Sequence, residues 1–233
     1  VSSPLVDARD PDAPLEGRMR AALVLAGRRL GARGLIAAGE GNLSLRLPGG
    51  QLLVTPTGLR KDELEPDDIV RVAVDPDAPT PPHQRDRRPS SDLAIHRAVL
   101  QARPDVAAVA HAHVPAAMAL TLAGETPDPA TLPETALLLP RLPVVSFGEM
   151  GSADLANRIA AALLEPPDPL AGAVLLERHG AVAVGPGSAG LEAIAALETA
   201  VNRLELIDVL CRVSRDATLL RAARAATGGD RGG

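Results

Sequence analysis

The stretch that constrains this chain most is Val106-Ala-Ala-Val-Ala-His111-Ala-His113, with Pro104-Asp105 before it and Pro115 after it. A run of small apolar residues between two breaks reads as a buried strand, and this one leads straight into two imidazoles. Successive strand side chains point to opposite faces, so His111 and His113 share one. Neutral imidazole is the commonest protein metal ligand, and two on one face of a rigid strand end can reach the same divalent ion. Two partly exposed strand-end histidines look the same in a sequence. The meaning of the pair depends on what else the chain brings to that place.

The punctuation around this strand is that of an α/β chain. Residues 15–34 carry Met19, Leu23, Leu25, Ala26 and Leu30 at spacings that suit an amphipathic helix closed by Gly31 and Gly34. Residues 43–47 and 51–55 flank Pro48-Gly49-Gly50 as a predicted hairpin, and 69–74 read as a further strand. Residues 75–89, dense in Pro, Asp and Arg, form a surface loop in which His83 is solvated. Pro89-Ser90-Ser91-Asp92 opens a helix over 93–103, and 115–123 form a short one. A short strand is expected in 142–147, then a helix over 152–164 capped by Ser152. Residues 173–180 and 181–184 meet at a glycine as a hairpin or bent strand, and 191–226 form one long helix or two with a break. The expected organisation is a disordered lead-in over 1–13, one domain over 14–226 and a flexible tail over 227–233.

Composition removes whole classes of function. A net charge of −5 and a single aromatic residue, Phe147, leave neither the basic footprint nor the stacking platforms of a nucleic-acid binder. No apolar run approaches the roughly 20 residues of a spanning helix, so no membrane role is expected. Cys211 is the only cysteine, sits in an apolar helical pattern, and reads as a buried small hydrophobe in a cytoplasmic protein. Lys61, the only lysine, lies in Arg60-Lys61-Asp62-Glu63, which reads as solvated surface. Schiff-base chemistry needs a lysine, so carbonyl chemistry here is expected to use a metal as electron sink.

His179 ends an apolar run as His113 does. Three histidines and a carboxylate make a site with room for substrate, since catalytic zinc keeps three protein ligands and one open position. Asp92 is the candidate carboxylate; a plain helix N-cap is its other reading. The turns Gly41-Asn42, Thr57-Gly58 and Ser90-Ser91 can form an anion pocket for a phosphate or carboxylate, although each alone is an ordinary turn. His96, one helical turn after Asp92, can touch it and reads as structural.

Taken together, Gly41-Asn42-Leu-Ser, Leu53-Val-Thr-Pro-Thr57-Gly58, Pro89-Ser-Ser-Asp92, Ala110-His-Ala-His113 and Leu176-Glu-Arg-His179-Gly180 resemble the class II aldolase/adducin family in motif and in order. The resemblance implies that His111, His113 and His179 hold a metal, usually Zn2+, with Mn2+ or Co2+ as alternatives. It implies that Asp92 is the catalytic carboxylate and that Gly41, Asn42, Thr57, Gly58, Ser90 and Ser91 hold a substrate phosphate. The implied fold is a three-layer αβα sandwich around a mainly antiparallel sheet, in a homotetramer with active sites between subunits. The implied activity is that of a metal-dependent aldolase-type lyase on a small sugar phosphate or related hydroxy-carbonyl compound, through a metal-stabilised enediolate. A dehydratase or decarboxylase on the same scaffold, and a non-catalytic adducin-like assembly module, are the alternatives.

Three positions depart from the family's aldolases. Asp92 stands where they carry Glu, as in the epimerase branch, whose late histidine has no counterpart after His179. Phe147 stands where they carry a tyrosine that serves the aldehyde, and this chain has no tyrosine. Glu40 lies inside a turn proposed to face the phosphate, where a carboxylate repels an anion unless it points away.

Overall fold

The computed structural model describes residues 14–79, 87–165 and 170–228. The lead-in expected over 1–13, His83 and all but two residues of the expected tail lie outside the described residues. One sheet holds seven strands in the spatial order β3 (Val70–Ala73), β2 (Gln51–Val54), β1 (Asn42–Leu47), β4 (Val106–Ala112), β7 (Gly180–Pro186), β6 (Ala173–Leu176) and β5 (Val144–Val145). The imidazole-bearing strand is therefore the middle one, and all seven of its residues are buried. Small apolar side chains suit that position, because helices cover both faces of the sheet.

One face packs against α1 (Leu15–Ala32), α3 (Pro115–Leu122) and α6 (Leu191–Gly228), through Ala108, Ala110 and Ala112 of β4. The other packs against α2 (Leu93–Ala102) and α5 (Ala153–Leu164), through Val106 and Val109. The alternation slips once, at an irregularity between Val106 and Ala108 in the pairing with β7. A short helix α4 (Pro133–Leu138) in the proline-rich connection had no periodic signal in the sequence. Ser152 caps α5 as expected, its hydroxyl accepting the Leu155 N–H at 3.2 Å.

Four expectations need correction or sharpening. The expected mainly antiparallel sheet is a mixed one: β5 runs parallel to β6, because the chain crosses over through α5 between them, while the other five pairings are antiparallel. The last helix is one continuous element and not two. α1 runs through Gly31 and ends in a turn at Gly34, where the Leu35 N–H returns to the Leu30 carbonyl. Lys61 is not solvated surface: it is 2% exposed, enclosed where the 59–62 segment packs against α1. Cys211 is buried as expected, and burial pushes its thiol up to about 12, which keeps it unreactive. Among the described residues no helix is long and apolar enough to cross a membrane.

Candidate active site

The three histidines meet at one end of β4. Antiparallel pairing sets His111 opposite Val182 and Ala112 opposite Ala181. The β6–β7 hairpin pairs Leu176 with Gly180, so its turn, Glu177-Arg178-His179, hangs over the strand end that carries His113. The closeness depends on Gly180, at φ +92, where a Cβ would lie 2.2 Å from the Ala112 carbonyl oxygen. Ring centroids are 5.4 Å apart for His111 and His113, 4.8 Å for His111 and His179, and 5.1 Å for His113 and His179. One nitrogen from each ring falls in a group whose members lie within 4.8 Å of one another.

Two strained residues flank this cluster. Val114 (φ +41) follows His113 and Arg178 (φ +60) precedes His179, both in the left-handed region. That conformation costs a non-glycine residue, a β-branched one most, and here it turns the chain sharply at both imidazoles. Val114 is held by its N–H to the Leu35 carbonyl, and Arg178 by its N–H to the Thr121 hydroxyl.

The ring nitrogens are arranged for a cation. His111 donates Nδ1–H to the Ala181 carbonyl at 3.0 Å, which leaves Nε2 with its lone pair, buried and without a partner. His113 Nδ1 lies 3.2 Å from Glu40 Oε1, freeing Nε2 in the same way. His179 Nδ1 and Asp92 Oδ1 are also buried without partners. These three are the only buried side-chain N or O atoms among the described residues that lack one, and all belong to this site. Buried polar atoms are almost always satisfied, so three orphans in one place indicate a missing ligand. Burial first, then the neighbouring imidazoles, lower His111 to about 3 and move His179 in the same direction. The His111 and His179 rings are therefore held neutral, the form that binds a metal. The donor set fits a divalent cation.

Asp92 stands at the N-cap position of α2, yet its side chain makes no cap bond. The Ser90 hydroxyl instead accepts the Asp92 N–H at 3.2 Å, and the carboxylate turns inward, where Oδ2 accepts from Asn42 Nδ2 at 2.9 Å. Beneath it lies a closed polar chain. His96 Nε2 is 2.6 Å from Asn42 Oδ1, and His96 Nδ1 is 2.7 Å from the Ser44 hydroxyl. Asn42 donates to Asp92 through nitrogen, so its oxygen faces His96, which must then carry its proton on Nε2 and accept from Ser44. His96 is fully buried, and burial lowers it to about 4. It makes no hydrogen bond to Asp92 and reaches it only through Asn42.

The three candidate anion turns converge. The Ser90 N–H bonds to the Thr55 carbonyl and the Thr57 N–H to the Arg88 carbonyl. A Cβ on Gly39 would lie 4.0 Å from the Gly58 carbonyl carbon, which places the Gly41 and Gly58 turns side by side. Glu40 does not face the opening between them; its second oxygen accepts the Ala37 N–H. Phe147 is 56% exposed, with the Arg178 guanidinium 4.4 Å above its ring and its N–H on the Glu177 carboxylate.

Glu40, on the His113 ring, is the participant that residue patterns missed. The β1–β4 register, Asn42 opposite His111, sets Glu40 opposite His113 when it is continued past the strand ends. That register was the one signal capable of finding it.

Residues 21–214 match the family described as Class II Aldolase and Adducin N-terminal domain. The chain is similar to 5-methylthioribulose-1-phosphate/5-deoxyribulose-1-phosphate aldolase of Rhodospirillum rubrum, 35% identical over 168 residues that cover 72% of this chain and 71% of the relative. It is 41% identical over 105 residues to methylthioribulose-1-phosphate dehydratase of Acidiphilium cryptum, a match to 45% of this chain and only 48% of that one. The solved structure of L-fuculose-1-phosphate aldolase from Thermus thermophilus aligns with a TM-score of 0.73 at 30% identity, covering 88% of this chain and 96% of that one.

Proposed function

We propose, from the premise that the chain belongs to the class II aldolase and adducin family, that it is a metal-dependent aldolase-type lyase that cleaves a small sugar phosphate. The hydroxyl proton beside the scissile carbon–carbon bond leaves, an aldehyde departs, and the enediolate left behind takes up a proton at carbon. The observation that carries this reading is the trio of orphaned buried atoms, His111 Nε2, His179 Nδ1 and Asp92 Oδ1. His111, His113 and His179 hold the cation, which supplies Lewis acidity toward an adjacent hydroxyl and carbonyl when bound. An all-imidazole donor set favours Zn2+, with Mn2+ or Co2+ as substitutes.

Asp92 carries the proton. One oxygen is pinned by Asn42 and the other is free, so a single lone-pair direction is presented to substrate. Gly41, Thr57, Gly58, Ser90 and Ser91 anchor the phosphate through backbone N–H groups and hydroxyls. Asn42 serves chiefly as the clamp on Asp92, with one amide N–H left for the anion. Anchoring the far end of the substrate orients the reacting carbons.

Dehydration is favoured as a second reading by one specific observation. Aldol cleavage needs a group that handles the aldehyde proton, and Phe147 has no hydroxyl to do so. We further assign residues 14–226 to one domain, a fourfold homotetramer and a cytoplasmic location. Exposed Leu122, Leu137, Phe147 and Met150 support a subunit interface.

Metal analysis of protein purified without chelator tests the core of the proposal. Wild type should hold about one divalent ion per chain, and His111→Ala none. A wild type that holds no metal and cannot be loaded refutes the lyase reading. Incubation with 5-methylthioribulose-1-phosphate then separates the outcomes by product, an aldehyde fragment for cleavage or an intact dehydrated chain for elimination. Light scattering reads the oligomer.

A further inference from the structure

Lys61 is a buried ionisable group that the chemistry above leaves unused, and unlike buried Asp68, Arg103 and Asp208 it has no ion-pair partner among the described residues. Its Nζ donates to the Gly39 carbonyl at 2.7 Å and the Leu59 carbonyl at 2.6 Å. One of these carbonyls belongs to the turn leading into Gly41-Asn42, the other to the turn leaving Thr57-Gly58. α1 is shaped to admit the segment, since a Cβ on Gly27 would lie 2.1 Å from the Lys61 carbonyl oxygen. Among the described residues no carboxylate lies within salt-bridge distance of Nζ.

An ammonium taken out of water without a counter-ion is expensive, and two backbone dipoles offset only part of that cost. A side chain whose only task was to tie two turns together needs hydrogen-bond donors and no charge. Burial lowers Lys61 to about 8, and the one charge acting on it in the other direction is that of Asp92. The ammonium is therefore the dominant form at neutral pH. Its enclosure excludes it as an imine-forming nucleophile, since no substrate carbonyl reaches a side chain that is 2% exposed.

We propose that Lys61 is a fixed positive charge set behind the Gly41 and Gly58 turns, and that it selects a phosphorylated substrate by strengthening the hold of those turns on a phosphate dianion. This rests on the reading of the three turns as an anion site and adds the charge that their neutral N–H and hydroxyl groups lack. Lys61 is a positioning and specificity residue, with no contact to the reacting carbons.

The single lysine makes the test clean. Protein grown on lysine labelled with 13C at Cε gives one ε-carbon resonance, which is followed while inorganic phosphate is titrated into the metal-loaded full chain. The resonance should shift saturably, with the dissociation constant that calorimetry gives for phosphate. Reciprocity requires saturating phosphate to raise the pH midpoint of Lys61 by the factor by which the charge strengthens phosphate binding. Lys61→Gln, which keeps two donors and loses the charge, should weaken phosphate roughly tenfold or more, and Lys61→Arg by no more than about threefold. Metal content, measured alongside, should be equal in all three, so that any phosphate on the metal is common to them. If phosphate binds while the resonance and its midpoint stay still, the proposal is overturned. Undiminished affinity in Lys61→Gln overturns it equally. Should Lys61→Gln fail to fold, the wild-type resonance decides alone. A wild type that holds its metal and ignores phosphate removes the anion-site reading, and this inference with it, while leaving the metal site standing.

Discussion

Two polar islands lie on the same side of the sheet, and they differ in a single respect. The seam under α2 joins Ser44, His96 and Asn42; the cluster at the end of β4 joins His111, His113 and His179. His96 and His111 are both fully buried, and burial lowers the one to about 4 and the other to about 3. Neither burial nor protonation tells them apart. The hydrogen bonds do: His96 has a partner on each ring nitrogen, whereas His111 has one on Nδ1 and none on Nε2. A closed island specifies structure; an open one holds a place for something from outside the chain.

The largest expected effect lies where the islands touch. Asp92→Asn keeps an oxygen for Asn42 and removes the proposed base, so turnover should fall by about 10²–10⁴ with metal content unchanged. Steady-state rates beside metal analysis check this, and a loss of under tenfold would mean that another group carries the proton. Next comes the contrast itself. His96→Phe strands Ser44 and Asn42 and should destabilise the metal-free fold by roughly 3 kcal/mol. His111→Leu removes one nitrogen that is already unsatisfied and one bond, to the Ala181 carbonyl, and should cost the same fold only about 1 kcal/mol. Urea denaturation of both variants measures the difference, and equal costs would erase the distinction between the islands.

A smaller effect tests how the open island is oriented. Glu40→Gln weakens the hold on the His113 ring and should lower metal affinity by about 10–100-fold, read by competition with a chelator. The smallest is a pH effect on the metal-free chain. The folded value of His96, about 4, lies below the roughly 6.5 of a free imidazole, so the unfolded chain binds more protons between the two. Its contribution to stability is therefore complete above about pH 6.5 and is lost as pH falls toward 4, on the order of 1–2 kcal/mol between pH 7 and pH 5. His96→Phe should remove that share of the slope and leave the part due to His111 and His179. An unchanged slope would place the titration elsewhere.

Much of this was legible along the chain. The Pro-Gly-Gly turn announced the β1–β2 hairpin, and Ser152 announced the start of α5, because turn and cap chemistry is local. The five short motifs carried the family and the candidate site residues together. Lys61 was misread because its neighbours, Arg60, Asp62 and Glu63, are charged, and a charged run looks solvated until a helix is laid over it. Glu40 looked like an obstacle to an anion until the β1–β4 register set it beside His113.

The sequence by itself determined which groups were on hand: three imidazoles, one carboxylate, one lysine and three anion-tolerant turns, strung on strands and helices that local pattern could outline. Tertiary structure alone decided which atoms of those groups were used up. Asp92 turned from helix cap to inward-facing carboxylate because Asn42, fifty residues away on β1, holds one of its oxygens, while the neighbouring Ser90 hydroxyl takes its backbone N–H. Hydrogen-bond partners on distant strands are set by register and by close approaches such as that at Gly180, and neither is written in the spacing of residues along one segment.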